Sequence, residues 1–176
     1  MPSKIEGFFF EKYYNNPQMN YRIGFGYDVH TLVENRELWL GGVKIEHSKG
    51  ALGYSDADVL IHAICDALLG AACLGDIGMH FPDTSEDYKG IDSKILLQKV
   101  IALLETKGYH LVNIDATLAL QRPVIAPYIS AMRKILSEVM GLGIDDVSIK
   151  ATTTEKLGFE GREEGISAYA VVLITK

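Results

Sequence analysis

Apolar side chains recur along this chain with two different periods, and the switches between them mark out its elements. Residues 21–29 alternate closely enough to predict a β-strand, whose successive side chains point to opposite faces. Leu38-Trp39-Leu40 and Val43-Lys44-Ile45 flank Gly41-Gly42 like the two arms of a hairpin. Over residues 56–74 the apolar positions 59, 60, 63, 64, 67, 68 and 71 form a helical stripe. Residues 75–90, with Pro82, three glycines and several acids, read as a loop. Residues 93–107 are amphipathic and stop at Gly108, a usual helix terminator. Strand alternation returns over 110–120. A third helix is expected over 127–140, closed by Gly141, then a short strand over 147–151 and a last one over 166–175. Helices alternating with strands predict an α/β (α+β) fold: one domain over residues 21–176, with a mixed sheet and its helices on one face. No repeat, low-complexity segment or linker divides it.

Composition narrows the class. A chain of 176 residues suits one domain with a proper core, and 48% hydrophobic with 23% charged residues is ordinary for a soluble globular protein. No run approaches the ~20 apolar residues that span a bilayer, so no membrane partner is expected. A net charge of −6 argues against a general nucleic-acid binder, which needs a basic footprint. If the ligand is a small polyanion, metal ions or local donors must supply the positive charge. Cys65 and Cys73 fall on one expected helix about 12 Å apart along its axis, too far for a disulfide. Both read as core residues of a protein in a reducing compartment. Residues 1–20 make a poor signal peptide, lacking a long apolar stretch and a cleavage site. They read as a disordered N-terminal extension.

Three segments carry candidate chemistry. Asp28 and His30 share one face of the first strand, and His62 lies on the following helix. A carboxylate and two imidazoles make a three-ligand set with one position open, the pattern of a catalytic rather than a structural zinc. Asp58 and Asp66, four residues either side of His62, are candidates to orient its ring. The plainer alternative is a helix-surface histidine and a strand-end aspartate. The second segment is residues 151–159, Ala-Thr-Thr-Thr-Glu-Lys-Leu-Gly-Phe. Thr152 and Glu155 have capping-box spacing, yet a helix N-terminus with three hydroxyls is also a ready anion site. In that case Glu155 would hold a divalent cation against phosphates. The third is Gly75-Asp76-Ile77-Gly78 with Phe81-Pro82-Asp83-Thr84-Ser85, a loop suited to a polyol and equally to solvent.

Read in order, the strings at 23–30, 55–59, 66–72, 75–78, 81–84 and 151–159 closely resemble the 2-C-methyl-D-erythritol 2,4-cyclodiphosphate synthase family of the non-mevalonate isoprenoid pathway. The resemblance covers residues 21–176. It implies a zinc ion on Asp28, His30 and His62, and a magnesium or manganese ion on Glu155. It implies a substrate, 4-diphosphocytidyl-2-C-methyl-D-erythritol 2-phosphate, whose 2-phosphate attacks its own β-phosphate to give the cyclic diphosphate and CMP. Residues implied to contact it are Asp28, Val29, His30, Tyr54, Ser55, Asp76 to Gly78 and Phe81 to Ser85. Further contacts are Leu120, Gln121, Arg122, Pro123, Val124, Ile125 and Ala126, then Ala151, Thr152, Thr153, Thr154 and Glu155. Thr153 and Tyr54 take the catalytic positions.

The resemblance also implies a cytoplasmic homotrimer with active sites between subunits. Its central channel would take an isoprenoid diphosphate near Phe159 and Arg162, with an Arg162–Glu164 subunit ion pair as the alternative use of that arginine. Two departures stand out. Tyr54 replaces the family's usual histidine and carries no positive charge near neutrality. Val124 replaces the usual lysine of the nucleotide loop, leaving Arg122 as the nearby cation. Two other activities fit the same residues: a metal-dependent phosphohydrolase with water as nucleophile, or a non-catalytic binder of nucleotides or isoprenoid diphosphates.

Overall fold

The computed structural model describes residues 20–176; the expectation for residues 1–19 lies outside them. Strand β1 (Tyr21–Glu34) pairs antiparallel with β7 (Gly165–Thr175), which pairs antiparallel with β5 (His110–Ala119). Parallel pairing of β5 with β6 (Val147–Thr152) and antiparallel pairing of β1 with β4 (Lys49–Ala51) complete a five-stranded mixed sheet. Its order is β4-β1-β7-β5-β6, and β2 (Leu38–Leu40) with β3 (Val43–Ile45) forms the separate hairpin. Both turn glycines, Gly41 and Gly42, adopt positive φ, as this tight turn requires.

Helix α1 (Val59–Ala71) crosses β1 and β7 on one face of the sheet. What admits it so closely is a row of small residues, Gly26, Ala170 and Ala116, aligned across three strands. A Cβ built on Gly26 would fall 1.9 Å from the Ala63 carbonyl oxygen, and one on Gly24 1.8 Å from that of Ala67. The helix backbone therefore rests directly on the strand. Helices α3 (Ser93–Thr106) and α4 (Ile129–Met140) add the rest of the layer, α3 against α1 and α4 against β6. Sandwiched in this way, α1 buries Ile61, Cys65 and Leu69 besides the expected stripe, and only His62, Asp66 and Gly70 reach partial exposure or more. Asp58 is buried at its N-terminus, where its carboxylate accepts N–H bonds from Ile61, Gly41 and Gly42 and so fastens the hairpin to the helix.

The opposite face of the sheet is apolar and uncovered: Ile23, Phe25, Tyr27, Val29, Tyr169 and Val171 are all exposed, Ile23 by 73%. Two expectations need correction. Cys73 is exposed and lies beyond the end of α1, in a turn at φ 58°, because the helix stops at Ala71; only Cys65 is a core residue. Residues 75–90 are also not all loop, since α2 (Ile77–His80) forms there behind Asp76, whose carboxylate accepts the Met79 N–H. Among the described residues no helix is long and apolar enough to cross a membrane.

Candidate metal centre and adjoining cavity

On the helix-facing side of β1, past the two glycines, come Asp28 and His30. Strand alternation aims both at α1, where His62 faces them. His62 Nδ1 and His30 Nε2 each lie 3.0 Å from Asp28 Oδ2 and 3.2 Å from one another. Ligands at ~2.0–2.1 Å from a tetrahedral zinc sit roughly 3.3 Å apart, so the donor set fits such an ion with little adjustment. The side chains are 24%, 17% and 13% exposed for Asp28, His30 and His62, which leaves an approach from one side. His30 Nδ1 donates to the Leu52 carbonyl at 2.9 Å, freeing Nε2 as the ligand atom. Gly53 permits this contact, because a Cβ there would meet Ala57 Cβ at 2.8 Å and the His30 ring at 3.0 Å.

Burial pushes the Asp28 carboxyl upward, but hydrogen bonds from both imidazoles outweigh it and hold the group well below the usual carboxylate range. Burial likewise opposes the charge on His30, yet the bond to Asp28 raises its pKa above the ordinary histidine value.

Neither aspartate expected to orient His62 hydrogen-bonds to its ring. Asp58 is committed to the helix cap and hairpin, and Asp66 accepts the Ile77 N–H at 2.8 Å. His62 Nε2 instead meets Ser93 Oγ at 3.0 Å and Ser55 Oγ at 3.1 Å. Asp56 in turn takes the Ser93 N–H at 3.0 Å and its hydroxyl. Neither Ser93 nor Asp56 was singled out from sequence. Ser93 reads there as an ordinary helix start, and only the packing of α3 on α1 brings it 31 residues back to His62.

A cavity of about 460 Å³ opens beside the histidines. It gathers His30, His62, Tyr54, Ser55, Ile77, Gly78, Phe81, Pro82 and Asp83 from the expected set, and adds Gly53, Tyr88, Ile91 and Leu96. The Tyr54 hydroxyl donates to the Ser85 carbonyl at 3.1 Å, while the Tyr54 carbonyl accepts the Gly90 N–H at 2.8 Å. Tyr54 thus grips the 81–90 loop at two points. Val29 points the other way, to the uncovered sheet face.

A second, shallower groove of about 160 Å³ lies elsewhere, lined by Leu120, Gln121, Pro123, Val124, Ile125, Ala126, Ala151, Thr152 and Thr153. Here the capping-box and helix-N-terminus readings both fail: helix α5 (Gly158–Gly161) begins six residues after Thr152, with Leu157 before it. Glu155 and Lys156 between them take left-handed backbone at φ 53° and 67°, a conformation non-glycine residues seldom adopt. Thr153 Oγ1 donates to Glu155 Oε1 at 2.7 Å, and the Lys156 N–H donates to Gln121 Oε1 at 3.1 Å. Thr154 Oγ1 closes the turn on the Leu157 carbonyl at 2.6 Å. Glu155 is exposed and stands outside the Asp28–His30–His62 cluster. Arg122 pairs with Glu163 at 3.5 Å. Arg162 pairs with Glu164 of its own chain at 2.8 Å, and Phe159 lines a third cavity with Val29, His30, Thr31, Glu164 and Gly165.

Fold and site together define a single α/β domain in which three donor side chains that could hold a metal ion stand beside a cavity. A family model described as the YgbB family matches residues 21–175, and the chain belongs to that family. A 2-C-methyl-D-erythritol 2,4-cyclodiphosphate synthase of Parabacteroides distasonis is 67% identical over 158 residues, covering 90% of this chain and 98% of that protein. The enzyme of the same name from Bacteroides fragilis is 65% identical over 158 residues, covering 90% and 99%. A solved structure of 2C-methyl-D-erythritol-2,4-cyclodiphosphate synthase in its CDP-bound form matches at 40% identity with a TM-score of 0.81, over 87% of this chain and 99% of that one.

Proposed function

We propose that the chain converts 4-diphosphocytidyl-2-C-methyl-D-erythritol 2-phosphate to 2-C-methyl-D-erythritol 2,4-cyclodiphosphate with release of CMP. The observation that carries this reading is the convergence of Asp28, His30 and His62 donor atoms beside the cavity of about 460 Å³ that both histidines line. The relatives named above, matched over nearly their whole length, support it. In the reaction an oxygen of the 2-phosphate forms a bond to the β-phosphorus, and the bond from that phosphorus to the bridging oxygen of CMP breaks. The nucleophile is already an anion near neutral pH, so the site must supply closeness and charge neutralisation rather than a strong base. Asp28, His30 and His62 would hold zinc and Glu155 a magnesium or manganese ion; bound there, such ions offset the charge on the phosphate oxygens.

The chain's own residues set the rest. Ile77, Gly78, Phe81, Pro82 and Asp83 wall the cavity that receives the methylerythritol portion, with Asp76 holding α2 in place. Tyr54 keeps that loop closed through Ser85, and Ser55 brings a hydroxyl to the cavity wall. Thr153 is the proposed donor to the diphosphate, its hydroxyl turning there from Glu155, to which it donates in the unliganded chain. The groove between residues 120–126 and 151–153 suits the cytidine, with Val124 narrowing the polar contacts available there.

Groove and metal cavity are separate on one chain, which favours a homotrimer in which a neighbour completes each site. The uncovered stripe from Ile23 to Val29 would then line the subunit contacts and an axial channel. An isoprenoid diphosphate in that channel would meet Phe159 and Arg162. The compartment proposed is the cytoplasm, where thiols such as exposed Cys73 stay reduced.

Phosphorus NMR of the product tests the reaction. A cyclic diphosphate with stoichiometric CMP is expected. An open-chain phosphate would install the hydrolase reading instead, and bound CDP without turnover the binding-protein reading.

A further inference from the structure

We infer that Ser93 and Asp56 form a positioning pair that dictates which nitrogen of His62 faces the metal. Ser93 is the first residue of α3 and is wholly buried. Its N–H donates to Asp56 Oδ2 at 3.0 Å and its hydroxyl donates to Asp56 Oδ1. Asp56 is itself fixed: its Oδ1 also accepts the Asp58 N–H at 3.2 Å, and its own N–H donates to the Ile91 carbonyl at 3.1 Å.

Proton counting then leaves one arrangement. A carboxylate only accepts, so the single hydroxyl proton of Ser93 goes to Asp56. What Ser93 Oγ presents to His62 Nε2, 3.0 Å away, is a lone pair. Nε2 must therefore carry the ring proton, and in the neutral imidazole the lone pair sits on Nδ1. Nδ1 is the atom 3.0 Å from Asp28 Oδ2 and 3.2 Å from His30 Nε2. Ser55 does not make this choice. Its Oγ lies 3.1 Å from the same Nε2 and accepts the Ala57 N–H at 3.1 Å, which leaves its own proton free to donate or to turn elsewhere. Ser55 tolerates either tautomer of His62; Ser93, bound to Asp56, tolerates one. The pair acts through His62 and touches neither ion nor substrate.

The inference rests on the metal reading of the site, and its test separates the two. The full chain, freed of metal and carrying nitrogen-15 histidine, is examined by NMR at a pH well above the histidine range. Wild-type His62 is expected to show a protonated Nε2 and a bare Nδ1. In Ser93→Ala the single tautomer is expected to give way to a mixture. The zinc dissociation constant, from competition with a chromogenic chelator, is expected to rise about 10- to 100-fold, as loss of an outer partner typically does. A proton on Nδ1 in the wild type overturns the inference whether or not the variant folds. So does a well-folded Ser93→Ala that binds zinc as tightly as the wild type. Failure of the wild type to take up zinc would instead sink the metal reading, while the tautomer would still decide the role of the pair.

Discussion

The Asp28–His30–His62 cluster and the 151–159 segment are built in opposite ways. Asp28, His30 and His62 come from a strand and a helix locked together over a row of glycine and alanine, with Leu52, Ser55 and Ser93 contacting the ring nitrogens. Their geometry is complete within one chain and partly shielded from water. Residues 151–159 are mostly exposed, and their shape comes from local backbone: left-handed Glu155, Lys156 and Gly158, Thr153 bonded to Glu155, and Gln121 holding Lys156. Packing preorganises the first region, whereas the second offers donors still awaiting a ligand or a neighbour. Substitutions in the first should therefore cost bound metal along with activity, and those in the second should cost turnover alone.

The largest effect is expected from His62→Ala, which deletes one of three donors. Bound zinc and activity should both be lost, activity by more than the ~10–100-fold typical of losing an outer partner. The far-ultraviolet circular dichroism should persist, because His62 sits at the rim of the core. Full zinc content with full turnover would refute the assignment. Next comes Glu155→Gln. Turnover is expected to fall about 100-fold through lost charge neutralisation. Zinc stoichiometry and melting temperature should hold, since Glu155 packs against nothing in the core. A parallel loss of zinc would erase the contrast between the regions.

Gly26→Ala attacks the first region from behind. The added Cβ would lie 1.9 Å from the Ala63 carbonyl oxygen and 2.6 Å from the Ala67 nitrogen, both backbone atoms that cannot rotate away. Lifting α1 off β1 is expected to cost about 2–3 kcal/mol, as overpacking does. Urea unfolding should register this as a lower midpoint. His62 moves with the helix, so zinc affinity should weaken as well. An unchanged midpoint would mean that the strand–helix seam is softer than its contacts suggest.

Much of this was legible in the chain, and the omissions have physical causes. The strand-borne Asp28 and His30 follow from period-two alternation, and the metal trio needed only one helical histidine more. The sheet and three main helices likewise appear in the periodicity. Ser93 and Asp56 did not, because a contact between segments 37 residues apart leaves no local pattern. Short edge strand β4 escaped for want of length. The Thr152–Glu155 spacing misled because a capping box and a left-handed turn share the same residue types, and nothing in Glu155 or Lys156 announces positive φ. Asp58 and Asp66 stand at the right spacing from His62, yet backbone N–H groups claim them first.

Tyr54→Phe should produce the smallest effect, and it decides whether the Tyr54 hydroxyl serves the loop or the reaction. The substitution keeps the ring in the cavity wall and removes only the hydroxyl that donates to the Ser85 carbonyl at 3.1 Å. One such bond contributes about 1 kcal/mol, roughly a fivefold change in an equilibrium. Because the proton is spent on the loop, the loss should appear as a KM raised about fivefold, with kcat nearly unchanged. The Gly90 N–H bond to the Tyr54 carbonyl survives, so the loop is loosened rather than released. Steady-state kinetics at several substrate concentrations separates the outcomes. A kcat reduced more than about tenfold at constant KM would mean that the hydroxyl turns from Ser85 to the reacting phosphate.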